Sequence, residues 1–530
     1  MKESVTLYDT TLRDGAQTQG VDFSVEDKRI VAEALDRIGI HYIEGGWPGA
    51  NPTDDAFFAD PPSLKTARFT AFGMTKRSGR SAANDPGLAA LLSSRAPALC
   101  LVGKSWDYQV DVALGIPRSE NLDNISESIA AAARLREVLF DAEHFFDGYR
   151  VNPDYALSAI RAAQDAGASW IVLCDTNGGT LPEDVYRIVS EVKSRLPNAR
   201  FGIHAHNDTE QAVAVSLAAL RGGARQIQGT LNGLGERCGN ANLCSILATL
   251  TLKDHYASRF DTGISTDALK QLTPVSRLLD EILNRAPDRH AAYVGPSAFA
   301  HKGGLHVSAV QKDPATYEHV PPESVGNRRH ILVSDQAGRS TIMARLAALG
   351  IEVQSSDKRI GRLLEDVKSR EFLGYAYDGA EASFELLARR ALGQVPSYFT
   401  VESFRVMVER RHNALGNLVT ISEAVVKVNA GGETFHNVAT GNGPVNALDH
   451  ALRKDLGRYS SFLQDLRLVD YKVRILTGGT EAVTRVMIES ADGAGSRWST
   501  VGVSENIMDA SFEALSDSIC FKLYRDGAPA

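Results

Sequence analysis

The sequence predicts an α/β protein: a (β/α)8 TIM barrel, then helical linker subdomains, then a C-terminal α+β domain with an internal βα repeat. Three observations carry this expectation. From residue 4 to about 255, short β-branched or apolar runs alternate with longer stretches of helical period, the pattern of βαβ units around a parallel sheet. Nearly every one of those runs ends in polar residues of the types that do chemistry. Beyond Ser397 the pattern changes to alternating strands, and a unit of strand pair, Gly-x-small turn and helix occurs twice.

Taken in order, strands are expected at 5–8, 42–44, 69–72, 98–102, 138–142, 170–174, 201–205 and 226–230. Helices are expected between them, among others at 25–38, 125–136, 156–166, 182–196 and 211–220; the first repeats apolar residues at Val25, Ile30, Val31, Leu35 and Ile38. Such spacing suits a closed barrel and leaves an open doubly wound sheet as the alternative. The strand ends decide for the barrel. Asp9, Arg13 and Asp14 follow the first strand, Glu44 closes the second, Lys104 follows the fourth and Glu143 the fifth. Asp175, Thr176 and Asn177 follow the sixth, His204 and His206 lie on the seventh, and Asn232, Glu236, Arg237 and Asn240 follow the eighth. A barrel gathers the C-terminal ends of its strands into one site, whereas burying so many charges for structure alone is costly. The barrel is expected over 1–256.

Residues 257–395 read as helical linker, with apolar residues at helical spacing in 267–284, 341–349, 359–367 and 382–392. In 396–530, strands at 424–428 and 436–440 lead to Gly441-Asn442-Gly443 and a helix through Leu456. Strands at 484–489 and 498–501 lead to Gly502-Val503-Ser504 and a helix through Ile519. Each glycine turn opens a helix N-terminus, where a carboxylate can be cradled.

The 530 residues are 43% apolar and 23% charged, too apolar for a disordered chain. With 57 basic against 65 acidic side chains the net charge is −8, which argues against general nucleic-acid binding. No apolar run reaches the roughly 20 residues that span a bilayer. The N-terminus enters a strand without a signal-peptide core, so a cytoplasmic protein is expected. Five cysteines without a CxxC pair argue against a disulfide framework or zinc ribbon, and Cys238 and Cys244 read as structural.

His204 and His206, two apart on a strand, share a face and can reach one divalent ion. Alone the pair is as readily structural; carboxylates at neighbouring strand ends favour the metal. The run from Asp9 to Gln17 is either a solvated turn or a mouth loop. In a mouth loop a carboxylate completes a metal shell and the adjacent guanidinium holds a developing oxyanion. The run from Asn232 to Asn242 is glycine-rich without GxGxxG spacing, and fits a tight loop that brings an amide oxygen or carboxylate to the metal. His301 and His306, five apart around two glycines, read as a plain loop on spacing alone.

DTTLRDGAQ (9–17), IEGGWPGANP (43–52), HAHND (204–208) and NGLGERCGNANL (232–243) resemble, in order and spacing, the 2-isopropylmalate synthase/homocitrate synthase family of metal-dependent acyl-CoA condensing barrels. The likeness continues through AHKGGLHVSAV (300–310) and the C-terminal half. Four further runs resemble the pyruvate-using members: VGKSWDYQV (102–110), DAEHFFDGY (141–149), VPPESVGNRR (320–329) and GNGPVNALDHALRKDL (441–456). In one departure, Asp141 stands two before Glu143, where such members often carry an aromatic residue.

The resemblance implies a Claisen-type condensation of acetyl-CoA, as substrate, with pyruvate, followed by thioester hydrolysis, in isoleucine biosynthesis. The alternatives are the same chemistry on 2-oxoisovalerate or 2-oxoglutarate, and a lyase of the wider barrel group that includes hydroxymethylglutaryl-CoA lyase. It implies Asp14, His204, His206 and Asn240 as the shell of a divalent metal ion (Mg, Mn or Zn). Arg13 is implied on the keto oxygen and Thr176 on the carboxylate, with Gln17, Glu44 and Asn207 also in the substrate site. Glu143, His306 and Tyr317 are implied to manage protons on the acetyl methyl, His306 arriving from the linker or a neighbouring subunit. The C-terminal domain is implied to regulate and to form a homodimer or higher homo-oligomer. Gly441, Asn442, Gly443, Gly502 and Ser504 would bind isoleucine or leucine there.

Overall fold

The computed structural model describes residues 2–285, 287–301, 304–331, 339–354, 356–377, 379–476 and 482–530. Eight parallel strands close into a barrel: β1 (Thr6–Asp9), β2 (Tyr42–Gly46), β3 (Arg68–Met74), β4 (Ala98–Lys104), β5 (Glu137–Glu143), β6 (Trp170–Asp175), β7 (Phe201–Ala205) and β8 (Gln226–Gly229). Every expected barrel strand is present, with only its ends shifted. The ladder closes where Thr6 to Asp9 pair with Gln226 to Gly229. Strands covered on both faces bury whole runs, as β6 does, which is why they read as near-continuous apolar stretches.

The helices follow local signals. Val25–Ile38 starts at a reciprocal cap between Ser24 and Asp27, buries Val31, Leu35 and Ile38, and ends at Gly39, whose φ of 99° few other residues adopt. Pro52–Ala59 and Pro86–Ser93, not among the expected helices, follow Asn51 and Asp85 caps with proline at the first helical position.

Two compact units are present: residues 1–299 with 319–329, and residues 300–318 with 330–530. The expected linker therefore divides between them. Its first part is two helices, Thr266–Leu269 and Leu272–Ile282, and Leu269, Leu272, Val275 and Leu279 join the barrel unit's core. The later helices, Arg339–Ala348, Lys358–Phe372 and Glu381–Ala391, build a core from Ile342, Leu346, Ile360, Leu363 and Phe384 together with Val501. An apolar stripe announces a helix without naming the neighbour that will cover it.

The second unit carries two three-stranded antiparallel sheets. One is β9 (Phe399–His412), β10 (Leu418–Ala430) and β11 (Glu433–Gly441), followed by the helix Pro444–Lys454. The other is β12 (Arg467–Ile475), β13 (Thr484–Ala491) and β14 (Arg497–Ser504), followed by the helix Ile507–Arg525. The repeat is three strands and a helix, not the expected strand pair and helix. Strands β9 and β12 are largely solvent-facing and lack a clean in–out alternation, so period gives no sign of them.

The expected turn at Gly502-Val503-Ser504 is also corrected: those residues end β14, and the helix starts after an Asn506 cap. A Cβ on Gly502 would stand 2.1 Å from the Ala510 carbonyl oxygen, so glycine serves close helix-on-strand packing. Gly441 likewise ends β11, with Ala447 N 2.5 Å from where its Cβ would lie. Asn442 and Gly443 alone form the open turn before a helix. Among the described residues no helix is long and apolar enough to cross a membrane.

Candidate active site and metal centre

The loop after β1 folds back over its own strand. Asp9 accepts from Thr11 N at 2.9 Å and from the Thr11 hydroxyl at 2.8 Å, and Asp14 N donates to the Thr10 carbonyl at 2.9 Å. Thr11 Oγ1 in turn accepts from Leu231 N at 2.8 Å, which ties this loop to the one after β8. Arg13 and Asp14 are thereby aimed into the barrel mouth beside the histidines of β7.

Asp14 Oδ2 lies 3.2 Å from His204 Nε2 and 4.0 Å from His206 Nε2, and the two Nε2 atoms are 3.4 Å apart. These three buried residues offer ligand atoms all within 4.8 Å of one another. Burial pushes the Asp14 carboxyl up, but Arg13 and His204 outweigh it and hold it well below the usual carboxylate range. Burial, then the neighbouring His204, push His206 down to about 3, so it is a neutral imidazole of the kind that ligates metal.

Asn240 supplies an independent test of fit. It is bridged to His206 through the backbone, and both its amide atoms are buried without a partner, as is His206 Nδ1. Orphaned polar atoms beside an Asp/His/His cluster suit a cation that takes the amide oxygen as a further ligand. The glycine-rich loop is as tight as expected. Gly239 has a φ of 89° and would bring a Cβ within 2.1 Å of the Gly233 carbonyl, while a Cβ on Gly235 would meet Asn240 Oδ1 at 2.8 Å.

The cluster opens into a cavity of about 340 Å³, lined also by Arg13, Gln17, Trp47, Phe72, Met74, Val102, Lys104, Asp141, Glu143, Thr176, Glu236 and Arg237. Arg13 donates from Nε to Glu44 Oε2 at 2.7 Å, approaches Asp14 at 3.4 Å and lies 3.9 Å over the Phe72 ring. Glu143 ends β5 with its carboxylate 2.6 Å from Lys104 Nζ. Thr176 Oγ1 accepts from His144 N at 2.8 Å, and its hydroxyl stands at the cavity wall able to donate.

Two expected substrate residues lie off that wall. Glu44 sits wholly buried beneath Arg13, and Asn207 Oδ1 accepts at 3.1 Å from the backbone N–H of Ala212, the first residue of the helix Ala212–Gly222. His306 and Tyr317 belong to the second unit, where their ring centroids lie 4.2 Å apart with the planes tilted by 32° and both side chains are exposed. Lys302 and Gly303 of that motif lie outside the described residues.

Sequence reasoning passed over two supports. Lys28, nearly buried, donates to the Leu12 carbonyl at 2.9 Å and the Gly45 carbonyl at 2.8 Å and pairs with Asp54, clamping the loops after β1 and β2 together. Gln228 on β8 has its Oε1 2.8 Å from His204 Nδ1 and donates from Nε2 to Asp141 Oδ1 at 3.1 Å. A signal existed for the latter: Gln226 and Gln228 are polar residues two apart on a barrel strand, hence on one face.

Comparison with known proteins agrees with this layout. The family model described as HMGL-like matches residues 4–275, that of the homocitrate synthase post-HMGL domain residues 293–371, and that of the LeuA allosteric (dimerisation) domain residues 378–522. The chain is 50% identical to the (R)-citramalate synthase of Aquifex aeolicus, over 99% of each chain. It is 51% identical to that of Geobacter sulfurreducens over 98% of each, and 48% identical to that of Synechocystis sp. over 98% of this chain and 96% of the relative. The chain belongs to the 2-isopropylmalate synthase/homocitrate synthase family. As a member of that family it carries the barrel, the post-barrel segment and the allosteric domain in one polypeptide.

Proposed function

We propose that this chain is an (R)-citramalate synthase, condensing acetyl-CoA with pyruvate and hydrolysing the thioester to give citramalate and CoA. The observation that carries the reading is the agreement of (R)-citramalate synthases at 48–51% identity over nearly the whole chain with an Asp/His/His cluster facing a carboxylate across one cavity.

Asp14, His204 and His206 would hold a divalent cation, with Asn240 beside them. When bound, that cation supplies Lewis-acid polarisation of the 2-oxo acid. Arg13 places a fixed positive charge where the keto oxygen becomes an alkoxide. The Thr176 hydroxyl donates to the acid's carboxylate. Glu143, oriented by Lys104, takes a proton from the acetyl methyl, and the carbon–carbon bond then forms between that carbon and the keto carbon. His306 with Tyr317 is the second proton-handling pair. An adjoining cavity of about 300 Å³, which shares Trp47, Met74, Val102, Lys104 and Glu143 with the first, brings Lys76 and Arg77 to its wall and supports entry of the anionic acyl carrier from that side. Water hydrolyses the thioester and makes the sequence irreversible.

The match to an allosteric (dimerisation) domain supports feedback by a branched-chain amino acid, isoleucine before leucine, and assembly as a homodimer. The Asn442-Gly443 turn is the carboxylate cradle in this reading.

The test is thiol release from acetyl-CoA with pyruvate, 2-oxoisovalerate and 2-oxoglutarate in turn, the product being identified by chiral chromatography. Pyruvate giving (R)-citramalate is expected to dominate. Faster turnover of either other acid would overturn the substrate, and thiol release with none of them would overturn the reaction.

A further inference from the structure

We propose that Asp141 and Gln228 are positioning residues that fix which nitrogen of His204 carries the proton, and so keep its Nε2 lone pair for a divalent cation. The inference rests on the metal reading above. His204 Nε2 is the nitrogen facing Asp14 Oδ2 and His206 Nε2, at 3.2 and 3.4 Å. Its Nδ1 lies 2.8 Å from Gln228 Oε1. A neutral imidazole holds one N–H, and the partner of one nitrogen decides the state of the other. While Gln228 presents oxygen, Nδ1 is the donor, and Nε2 is the nitrogen left to offer its lone pair to a cation placed between it and Asp14.

A glutamine amide has two ends of nearly the same shape, one accepting and one donating, so Gln228 alone settles nothing. Asp141 breaks the tie. Gln228 Nε2 lies 3.1 Å from Asp141 Oδ1, and a carboxylate has no hydrogen to give, so only the NH2 end of Gln228 can turn toward it. The oxygen is thereby left for His204. His204 and Gln228 are register partners on the adjacent strands β7 and β8, and the link from Gln228 to Asp141 on β5 crosses the barrel interior. All three are buried, where a mismatched donor is expensive. Each link selects the next: carboxylate, amide, imidazole, cation.

The experiment uses the full-length protein stripped of metal and titrated with divalent manganese by calorimetry. Long-range 1H–15N spectra of histidine-labelled, metal-free protein report the tautomer. Asp141→Asn frees the amide of Gln228 to turn over, offer N–H to Nδ1 and drive the proton to Nε2. Manganese affinity should then fall about tenfold or more, and the His204 signals should change from the Nδ1–H to the Nε2–H pattern. Gln228→Leu should lose as much affinity. The double variant Asp141→Asn/Gln228→Glu exchanges carboxylate and amide, so a carboxylate again accepts from Nδ1 and an amide at 141 donates to it. It should recover most of the lost affinity, which a purely structural role for either residue does not predict.

The relay is overturned if Asp141→Asn keeps both wild-type affinity and the Nδ1–H signature, or if the wild-type protein itself shows Nε2–H with Nδ1 bare. If wild-type protein binds no manganese, the metal reading fails instead, and the tautomer spectra still decide the relay.

Discussion

Glu44 lies wholly buried beneath Arg13, with Oε2 2.7 Å from the guanidinium Nε. Tyr8 donates to Oε1 at 2.6 Å and the Thr10 hydroxyl donates to Oε2, so three donors and no acceptor meet this carboxylate among the hydrogen bonds described. Burial lowers the tendency of Arg13 to stay charged, but Glu44 and Asp14 outweigh it and raise its pKa well above the ordinary value. The guanidinium is a fixed cation whose direction is set from below by Glu44 and from the side by Phe72.

Glu44→Gln should therefore act through Arg13. The new NH2 group would face only donors, and losing a charge-assisted hydrogen bond of about 1.5–3 kcal/mol corresponds to a rate loss of about 10- to 100-fold. Steady-state kinetics on pyruvate should show it mainly in kcat. An unchanged kcat would mean that Arg13 does not need this support.

Glu143→Gln should keep its shape and both substrates yet lose about a hundredfold or more in turnover, because an amide cannot accept the methyl proton. Exchange of deuterium into the acetyl methyl, followed by NMR, separates this from a binding defect. Exchange at the wild-type rate would assign the base elsewhere, with His306 next.

Lys28→Met should destabilise the barrel by about 3–5 kcal/mol, since it strands the buried Asp54 carboxylate and leaves two carbonyls without their donor. Urea unfolding followed by Trp fluorescence measures the loss. The double variant Lys28→Met/Asp54→Asn should be less damaging than Lys28→Met alone, because it removes the stranded charge.

Asp9 should make stability depend on pH. Burial raises its carboxyl from 3.8 to about 7 against the opposing Thr11 hydrogen bonds. Between those values the folded chain holds a proton that the unfolded chain has released. Asp9's contribution is therefore full below about pH 4 and lost as pH rises through about 7. Asp9→Asn should flatten that part of the curve, and urea midpoints at pH 5 and pH 8 for both proteins would reveal it. Parallel curves would show that Asp9 does not titrate there.

Gly443→Val should weaken inhibition by isoleucine about tenfold while turnover without effector stays near wild type. No heavy atom lies within 4 Å of where a Cβ on Gly443 would be, so the substitution crowds the open turn without disturbing the fold. Gly441→Val would be a poor probe, since its Cβ would collide with the following helix. An unchanged inhibition curve would move the effector away from this turn.

What was legible in the sequence follows from which forces leave a local trace. Strands covered on both faces announce themselves by composition, so β1 to β8 could be read directly, and the residues at their ends located the mouth. His204 and His206 could be grouped because two-residue spacing on a strand fixes a shared face, whereas Asp14 joined them through the family resemblance. Glu44 could be assigned to the mouth but not to the layer beneath it, because depth along a strand end depends on the side chains stacked above. The support by Gln228 and the clamp by Lys28 join residues 24 and 16 or more positions apart, and no period or spacing records such a meeting. The solvent-facing strands β9 and β12 bury too little to leave a pattern.

The cavity has two kinds of wall. On one side, ionic and amide groups brace one another across several strands, so any substitution there disturbs its neighbours. Elsewhere in the lining, Met74 and Val102 present thioether and hydrocarbon surface that takes no part in that network among the contacts described. A methylene more or less in such a surface changes discrimination between substrates by about 1–3 kcal/mol. A lineage with this barrel can thus change the acid it consumes by altering the bulk of a few side chains, and inherit the reaction intact.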